Sequence, residues 1–432
     1  MAETTTATPT IKTLREASCA DDYDPNSMPA AKARELIRTF LTPLSTVERV
    51  GVRSALGRVL AADVISPIAV PGHDNSAMDG YAVRFADLES DGETTLKRVG
   101  ESFAGKPWAG AIGAGECVRI FTGGVMPEGA DSVVMQERAR EDAQGVHVAA
   151  GALTRAGTNR RFAGEDLKTG QVVFRAGQRL HPAELGMIAS LGLGEVGVYR
   201  RLRVAFFSTG DELKSVGTPL AAGEIYDSNR YTLHGMLTRL GCELIDMGVV
   251  VDAPDKLEAA FAGAAQSADV VITSGGVSVG EADYVKQLLD KLGEVLFWKI
   301  AMKPGRPLAY GKIGGAHFFG LPGNPVSVMV TFYQFVRDAL RILQGERDVA
   351  PLPSFRVPLS APIRKAPGRT EFQRGILSPD GAGGWTVRTT GDQGSGILSS
   401  MSQANCFIVL GSDTGNVAAG ETVEVQLLEG II

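Results

Sequence analysis

Between residues 203 and 343 the chain repeats one rhythm, an apolar run, then a Gly-rich loop, then an amphipathic segment. RVAFFSTGDEL reads as a strand and its loop. SNRYTLHGMLTRLG reads as a helix with a Ser or Asn cap that stops at Gly241. CELIDMGVVVDA, DVVITSGG and VLFWKIA repeat the strand pattern, and PDKLEAAFAGAA and EADYVKQLLDKLG the helical one. HFFGLPGNP then leads into a long helical run, VSVMVTFYQFVRDALRIL. Strands separated by helices must return to the same edge, so they pair in parallel and are covered on both faces. The expectation is a mostly parallel sheet that binds ligand beyond the carboxyl ends of its strands.

The flanks follow other rules. Residues 29–41 and 52–61 read as short helices, and 182–191 as another. Residues 66–165 carry short β-like runs (YAVRF, CVRIF, SVVMQE, VHVAA) between Gly- and Pro-rich turns, a small β module. After Gly345, FRVPLSAPI, EFQRGIL, GWTVRTT, NCFIVLG and TVEVQLL suggest a small β-barrel or sandwich.

Composition narrows the function classes. The 432 residues are 44% hydrophobic and 21% charged, which suits several globular domains. A net charge of −6 argues against broad nucleic-acid binding but leaves room for a local basic pocket. Cys19, Cys117, Cys242 and Cys406 are scattered without a CxxC, as expected of a reducing cytoplasm. Five histidines show no metal-binding spacing, and no apolar run is long enough to span a bilayer. Residues 1–25 lack the basic and apolar regions of a signal peptide and read as a disordered tail.

Within the strand–helix region, polar residues gather at strand ends. Ser274, Gly275, Gly276 and Ser278 form a loop whose N–H groups could face a phosphate. Alone, such a loop is equally a plain βα turn. Glu281 and Asp283 crowd the following helix start, where they could cap it or hold a cation. Pro322, Gly323, Asn324 and Pro325 make a rigid second loop. Lys299, Lys303 and Arg306 lie within eight residues, either a solvated basic loop or an oxyanion pocket. The loop carboxylates Asp79, Asp166, Glu212, Asp252 and Asp283 are each ordinary turn residues taken singly. Gathered in one cleft, they could hold Mg2+ or orient a water. DNSAMDG at residues 74–80 is more specific than any turn or cap requires.

Eight segments occur in one order: PGHDNSAMDGYAV, FTGGVMPEGADSVVMQE, RRFAGEDL, FFSTGDEL, IYDSNRYTL, SGGVSVGEADYVK, FWKIAMKPGRPLAYG and GLPGNPVSVMVTFYQF. Together they resemble the molybdopterin molybdenumtransferases, a family that includes the gephyrin E domain. Two departures are Gly124, where Ala is frequent, and Arg306, where Lys is common. The resemblance implies an α/β multidomain chain. An elongated helical part would cover residues 26–65 and 166–199, and an inserted β module residues 66–165. An adenylyltransferase-like αβ domain would span residues 200–348, and a C-terminal β-barrel 349–432.

It also implies a reaction, in which adenylylated molybdopterin is hydrolysed with Mg2+, AMP leaves, and molybdate is inserted into the dithiolene. Glu212, Asp252 and Asp283 would hold the metal or position water, with Lys299 and Lys303 offsetting phosphate charge. The SGG loop would bind pterin phosphate, and Arg306, Ser327, Arg374 and Ser395 molybdate. Arg161 and Asp166 would form part of the cleft or, equally, an ion pair that fixes the domain hinge. A homodimer is implied, with Asp79 and Thr122 facing the partner's αβ domain. A molybdopterin adenylyltransferase and molybdoenzyme maturation factors are possible partners, with neither nucleic acid nor membrane expected. Rival readings are an adenylyltransferase, a receptor-binding scaffold, and a homologue that prefers tungstate.

Overall fold

The computed structural model describes residues 28–276 and 288–428. Its centre is a six-stranded sheet. Glu243–Val250, Arg203–Thr209, Val270–Ser274 and Ala316–Leu321 run parallel in that spatial order, followed by Pro307–Ile313 and Gly293–Lys299. Pro307–Ile313 is antiparallel to both its neighbours, so the sheet is mixed but mostly parallel.

The strand Arg203–Thr209 shows why the run is apolar throughout. Successive side chains point to opposite faces, and both faces are covered. Val204 and Phe206 pack with Leu233, Leu237, Ile272 and Phe319 on one face. Ala205 and Phe207 pack with Leu257, Phe261, Val271 and Phe318 on the other. Phe261 meets Phe207 and Phe318 edge-on, at centroid distances of 5.2 and 5.6 Å. Such pairs add roughly 0.5–1.5 kcal/mol beyond area burial.

The helix Ala30–Thr39 packs on this core. Its buried face, Ala30, Ala33, Leu36 and Ile37, joins the cluster of Val204 and Phe206. Burying a residue such as Leu36 or Ile37 is worth about 1.5–3 kcal/mol. The segment 52–61 departs from the expected helix. Only Val52–Ala55 turns, as a short 3-10 helix, and Val59 and Leu60 form β-bridges to Arg179 and Val198. Gly57 at φ 73° stops the helix, and its N–H donates to Leu180. The part expected to be helical is therefore mixed. Strand Val47–Gly51 pairs with Glu195–Tyr199, and Val64–Ile65 with Val172–Phe174, beside the helix Pro182–Ser190.

The β module forms a second six-stranded sheet that includes Gly80–Val83, Glu116–Ile120 and Ser132–Met135. The C-terminal region is a third sheet, in which Thr370–Pro379 lies between Cys406–Leu410 and Trp385–Thr389. A closed barrel ladder is not continuous among the described residues. A single bridge, Leu359 to Val387, links the edge segment to Trp385–Thr389. The short strand Met302–Lys303 joins this sheet by pairing with Thr370 and Glu371, so it ties the C-terminal region to the central one. Gln334, in the π-helical turn Phe332–Val336, adds a second tie. It accepts from Arg34 at 3.1 Å and donates to Gln426 at 3.0 Å.

Candidate active site

The strand order fixes where a site can form. From Arg203–Thr209 the chain crosses to one neighbour, Glu243–Val250, and then returns to the other side as Val270–Ser274. That reversal opens a crevice at the carboxyl ends. A cleft of about 1040 Å³ lies there, lined by Gly210–Glu212, Asp252, Gly275 and Gly276, and Pro322–Pro325. These are the loops that follow four parallel strands. Lys303–Pro307 and Gln393–Gly396 close its sides.

Close backbone approach explains the glycines at 275 and 276. Gly275 has φ 92°, and a Cβ there would stand 2.5 Å from the carbonyl oxygen of Thr209. Its N–H donates to the Leu321 carbonyl at 3.1 Å. The neighbouring loop is locked by Asn229, which is buried (7% exposed). Asn229 Nδ2 donates to Ser274 Oγ and to the Gly323 carbonyl, both at 2.7 Å. One side chain thus joins the Ser274–Gly276 loop to the Pro322–Pro325 loop. Two residues earlier, Asp227 caps the helix Ser228–Arg239, accepting from Arg230 N at 3.2 Å and from Ser208 Oγ at 3.0 Å. The cap is therefore Asp227, one residue before the expected Ser or Asn. Sequence reading missed both Asp227 and Asn229, although they lie inside the quoted IYDSNRYTL segment.

Of the residues singled out from the sequence, thirteen line this cleft: Glu212, Asp252, Ser274, Gly275, Gly276, Lys303, Arg306, Pro322, Gly323, Asn324, Pro325, Ser327 and Ser395. Ser278, Glu281 and Asp283 lie outside the described residues. The others sit elsewhere. Lys299 ends the strand Gly293–Lys299, where its carbonyl accepts from Met28 N at 3.0 Å. Arg374 is 1% exposed and stands behind the cleft wall. Its Nε donates to Ser400 Oγ and its Nη2 to the Gly394 carbonyl, each at 3.0 Å. Burial lowers its pKa, partly offset by Asp392. Arg374 holds the Gln393–Gly396 loop in shape; it does not line the cleft.

Asp79, Thr122, Arg161 and Asp166 belong to the β module and its edge, and none of them lines the cleft within this chain. The DNSAMDG segment has a clear local role there. Asp74 pairs with Arg160 and accepts from Ala163 N at 2.7 Å. Burial raises the Asp74 pKa, but these donors outweigh it and hold the carboxyl below its usual range. Asn75 and Ser76 pair with Arg161 and Arg160. Asp79 Oδ1 accepts both the N–H and the hydroxyl of Thr122 at 2.8 Å, and these bonds lower its pKa.

The cleft therefore presents oxygen donors and cations on glycine-rich backbone. Among the described residues no group of three or more His, Cys, Asp or Glu is gathered as a metal site. Asp211, Glu212 and Asp252 nonetheless line one cleft without His or Cys. That donor chemistry fits a hard cation such as Mg2+.

Comparison with known proteins now decides the family. A curated molybdopterin molybdenumtransferase of Haemophilus influenzae is 48% identical over 379 residues, covering 88% of this chain and 93% of that one. The chain belongs to the molybdopterin molybdenumtransferase family. A relative from Nostoc, with the same name, is 41% identical over 69% of this chain and 70% of its own length. Family models match in order: the MoeA N-terminal region (domain I and II) at residues 28–192, a probable molybdopterin binding domain at 205–342, and the MoeA C-terminal region (domain IV) at 356–428. The molybdopterin biosynthesis MoeA protein from Pyrococcus horikosii has a similar structure. It is 31% identical with a TM-score of 0.77, covering 94% of this chain and all of that one. The α/β multidomain architecture expected from the sequence is thus that of a transferase family.

Proposed function

We propose that this chain inserts molybdenum into molybdopterin by hydrolysing an adenylylated pterin and passing molybdate to its dithiolene, with release of AMP. The observation that carries the reading is the convergence of four strand-end loops on one cleft lined by carboxylates, cations and glycine backbone. Ser274, Gly275 and Gly276 suit a phosphate, because the glycines let the backbone approach it closely. Lys303 and Arg306 offset charge that develops on the phosphoanhydride or on molybdate, itself a tetrahedral dianion. Ser327 and Ser395 supply hydroxyl donors to the same oxyanion. Water, oriented by Glu212 or Asp252, which takes its proton, attacks the pterin-side phosphorus of the phosphoanhydride, and AMP leaves with the bridging oxygen. At the dithiolene two Mo–S bonds form as one molybdate oxygen leaves as water with the two thiol protons.

Glu212 and Asp252, with Asp283, would hold Mg2+, which would neutralise phosphate charge when bound. Lys299, Arg161 and Asp166 are assigned supporting electrostatic or hinge roles by family resemblance. A homodimer would bring Asp79 and Thr122 of one subunit to the cleft of the other. Both residues are exposed in the single chain, which supports this reading. No described helix is long and apolar enough to cross a membrane. Scattered cysteines support a cytoplasmic site of action.

The test is Asp252→Ala. AMP release from adenylylated molybdopterin should be abolished while pterin binding persists, because a loop carboxylate is lost and not a packing group. Wild-type AMP release by the variant would refute the role.

A further inference from the structure

Lys303 also borders a second cavity, of about 380 Å³, lined by Arg364, Lys365, Arg369, Glu371 and Asn416. Four cations face one carboxylate there. Glu371 is 8% exposed and already engaged, accepting from Gln373 Nε2 at 2.9 Å and lying 3.6 Å from Lys303 Nζ. Lys365 is 6% exposed, and its ammonium donates to the carbonyls of Ala366, Ser412 and Thr414 at 3.2, 3.4 and 2.8 Å. Among the described residues no carboxylate lies within ion-pair distance of it, and three backbone carbonyls hold the ammonium beside the cavity. Arg364 and Arg369 are exposed, and among the described residues neither side chain has an ion pair or hydrogen bond.

A solvated basic loop would be the ordinary account of two exposed arginines. Three features separate this site from one. The arginines border an open depression that Lys303, Lys365 and Asn416 also line. A buried ammonium reinforces them. The loop that bears them is also fixed, with Ile363 N bonded to Val417 O at 2.9 Å, Gly368 N to Ser412 O at 2.8 Å and Thr370 N to Ala301 O at 3.0 Å. Asn416 Oδ1 accepts from Lys365 N at 3.0 Å, which turns its Nδ2 into one more donor. Guanidinium forks without carboxylate partners, carried on a backbone held in place, are available to an oxyanion.

We propose that this cavity is a second oxyanion site, separate from the cleft floor, that takes an inorganic tetrahedral dianion through Arg364 and Arg369. The remaining lining is Ala366 and Pro367, so a nucleotide base has no aromatic face to stack on. Lys303, shared by both cavities, makes the site a place from which molybdate is handed to the cleft. That hand-over rests on the function proposed above; the binding does not.

The experiment titrates the full chain at low ionic strength with sulfate, which cannot be inserted, and with molybdate. Wild type is compared with Arg364→Gln/Arg369→Gln and Arg364→Lys/Arg369→Lys. Each guanidinium lost should weaken dianion binding by about tenfold. The Lys pair should fall between wild type and the Gln pair. The Gln pair should need more molybdate for half-maximal turnover, with turnover at saturating molybdate unchanged. Sulfate affinity within about twofold of wild type in the Gln pair would overturn the site. AMP that competes with sulfate more tightly than molybdate does would overturn its assignment to an inorganic dianion. Lost sulfate binding with unaltered molybdate dependence of turnover would overturn the hand-over alone. A wild type that binds sulfate through these arginines yet has no transferase turnover would instead count against the proposed function.

Discussion

Replacing Asn229 with Ala separates loop positioning from stability. The variant removes two hydrogen bonds, to Ser274 Oγ and to the Gly323 carbonyl. Neutral bonds of this kind contribute about 0.5–1.5 kcal/mol each, so their loss costs roughly 1–3 kcal/mol. The other end of the same side chain works in the opposite direction. Asn229 Oδ1 is buried and has no hydrogen-bond partner. An unsatisfied buried acceptor costs about 1–3 kcal/mol, and Ala removes it. Rotating the amide would not help, because the Gly323 carbonyl can only accept. The two contributions are of similar size and opposite sign, so net stability should change by no more than about 2 kcal/mol. Positioning has no such compensation. The Ser274–Gly276 and Pro322–Pro325 loops would lose the side chain that spaces them, and a misplacement of about 1 Å can cost roughly a hundredfold in rate. Urea denaturation and steady-state AMP release, measured on one preparation, provide the comparison. The expected result is a stability change within about 2 kcal/mol with turnover reduced at least about tenfold. A stability loss above about 3 kcal/mol with normal turnover would refute the reasoning.

Two more outcomes follow from the same geometry. Gly275→Ala should displace the loop, since its Cβ would meet the Thr209 carbonyl at 2.5 Å and the backbone stands at φ 92°. Substrate affinity should fall in a binding titration with far-ultraviolet circular dichroism unchanged, and wild-type affinity would show that the loop does not approach ligand. His317 lies at the start of Ala316–Leu321, at the opposite end of the strand from the cleft. Burial, aided by Lys312, pushes its pKa down to about 4. Above pH 6.5 the ring is neutral in both states. Between 6.5 and about 4 only the unfolded chain takes the proton, so stability should fall as pH drops through that window and level off below it. The full effect is about 3 kcal/mol at most. Urea midpoints of His317→Gln should be flatter over this range, and an equally steep loss would remove His317 as the cause.

What the sequence made legible was what local pattern encodes. Strand Arg203–Thr209 is apolar on both faces because both are covered, and this alone announces a parallel sheet. The strand ends then follow from topology, which is why thirteen of the cleft residues could be named in advance. Strand Pro307–Ile313 was hidden, since Pro304, Gly305 and Pro307 surround its start and make it read as a loop. The helix expected at residues 52–61 failed because Leu60 N bonds to Gln178, a partner far along the chain. The contacts of Asn229 and the burial of Arg374 were hidden for the same physical reason. Their partners lie 45 and 94 residues away for Asn229, and 20 and 26 for Arg374, and no periodicity reports such contacts. An Asn two residues after a helix cap, in the first turn of the helix Ser228–Arg239, was the available signal for the first. For the second, its place inside the strand Thr370–Pro379 pointed to burial.

The most direct test of the central claim pairs two assays on the full chain. One supplies adenylylated molybdopterin, molybdate and Mg2+; the other supplies molybdopterin, ATP and Mg2+. The account predicts AMP release and molybdenum-loaded cofactor in the first assay and no adenylylation in the second. Turnover only in the second would make the chain an adenylyltransferase and contradict the reading of its cleft.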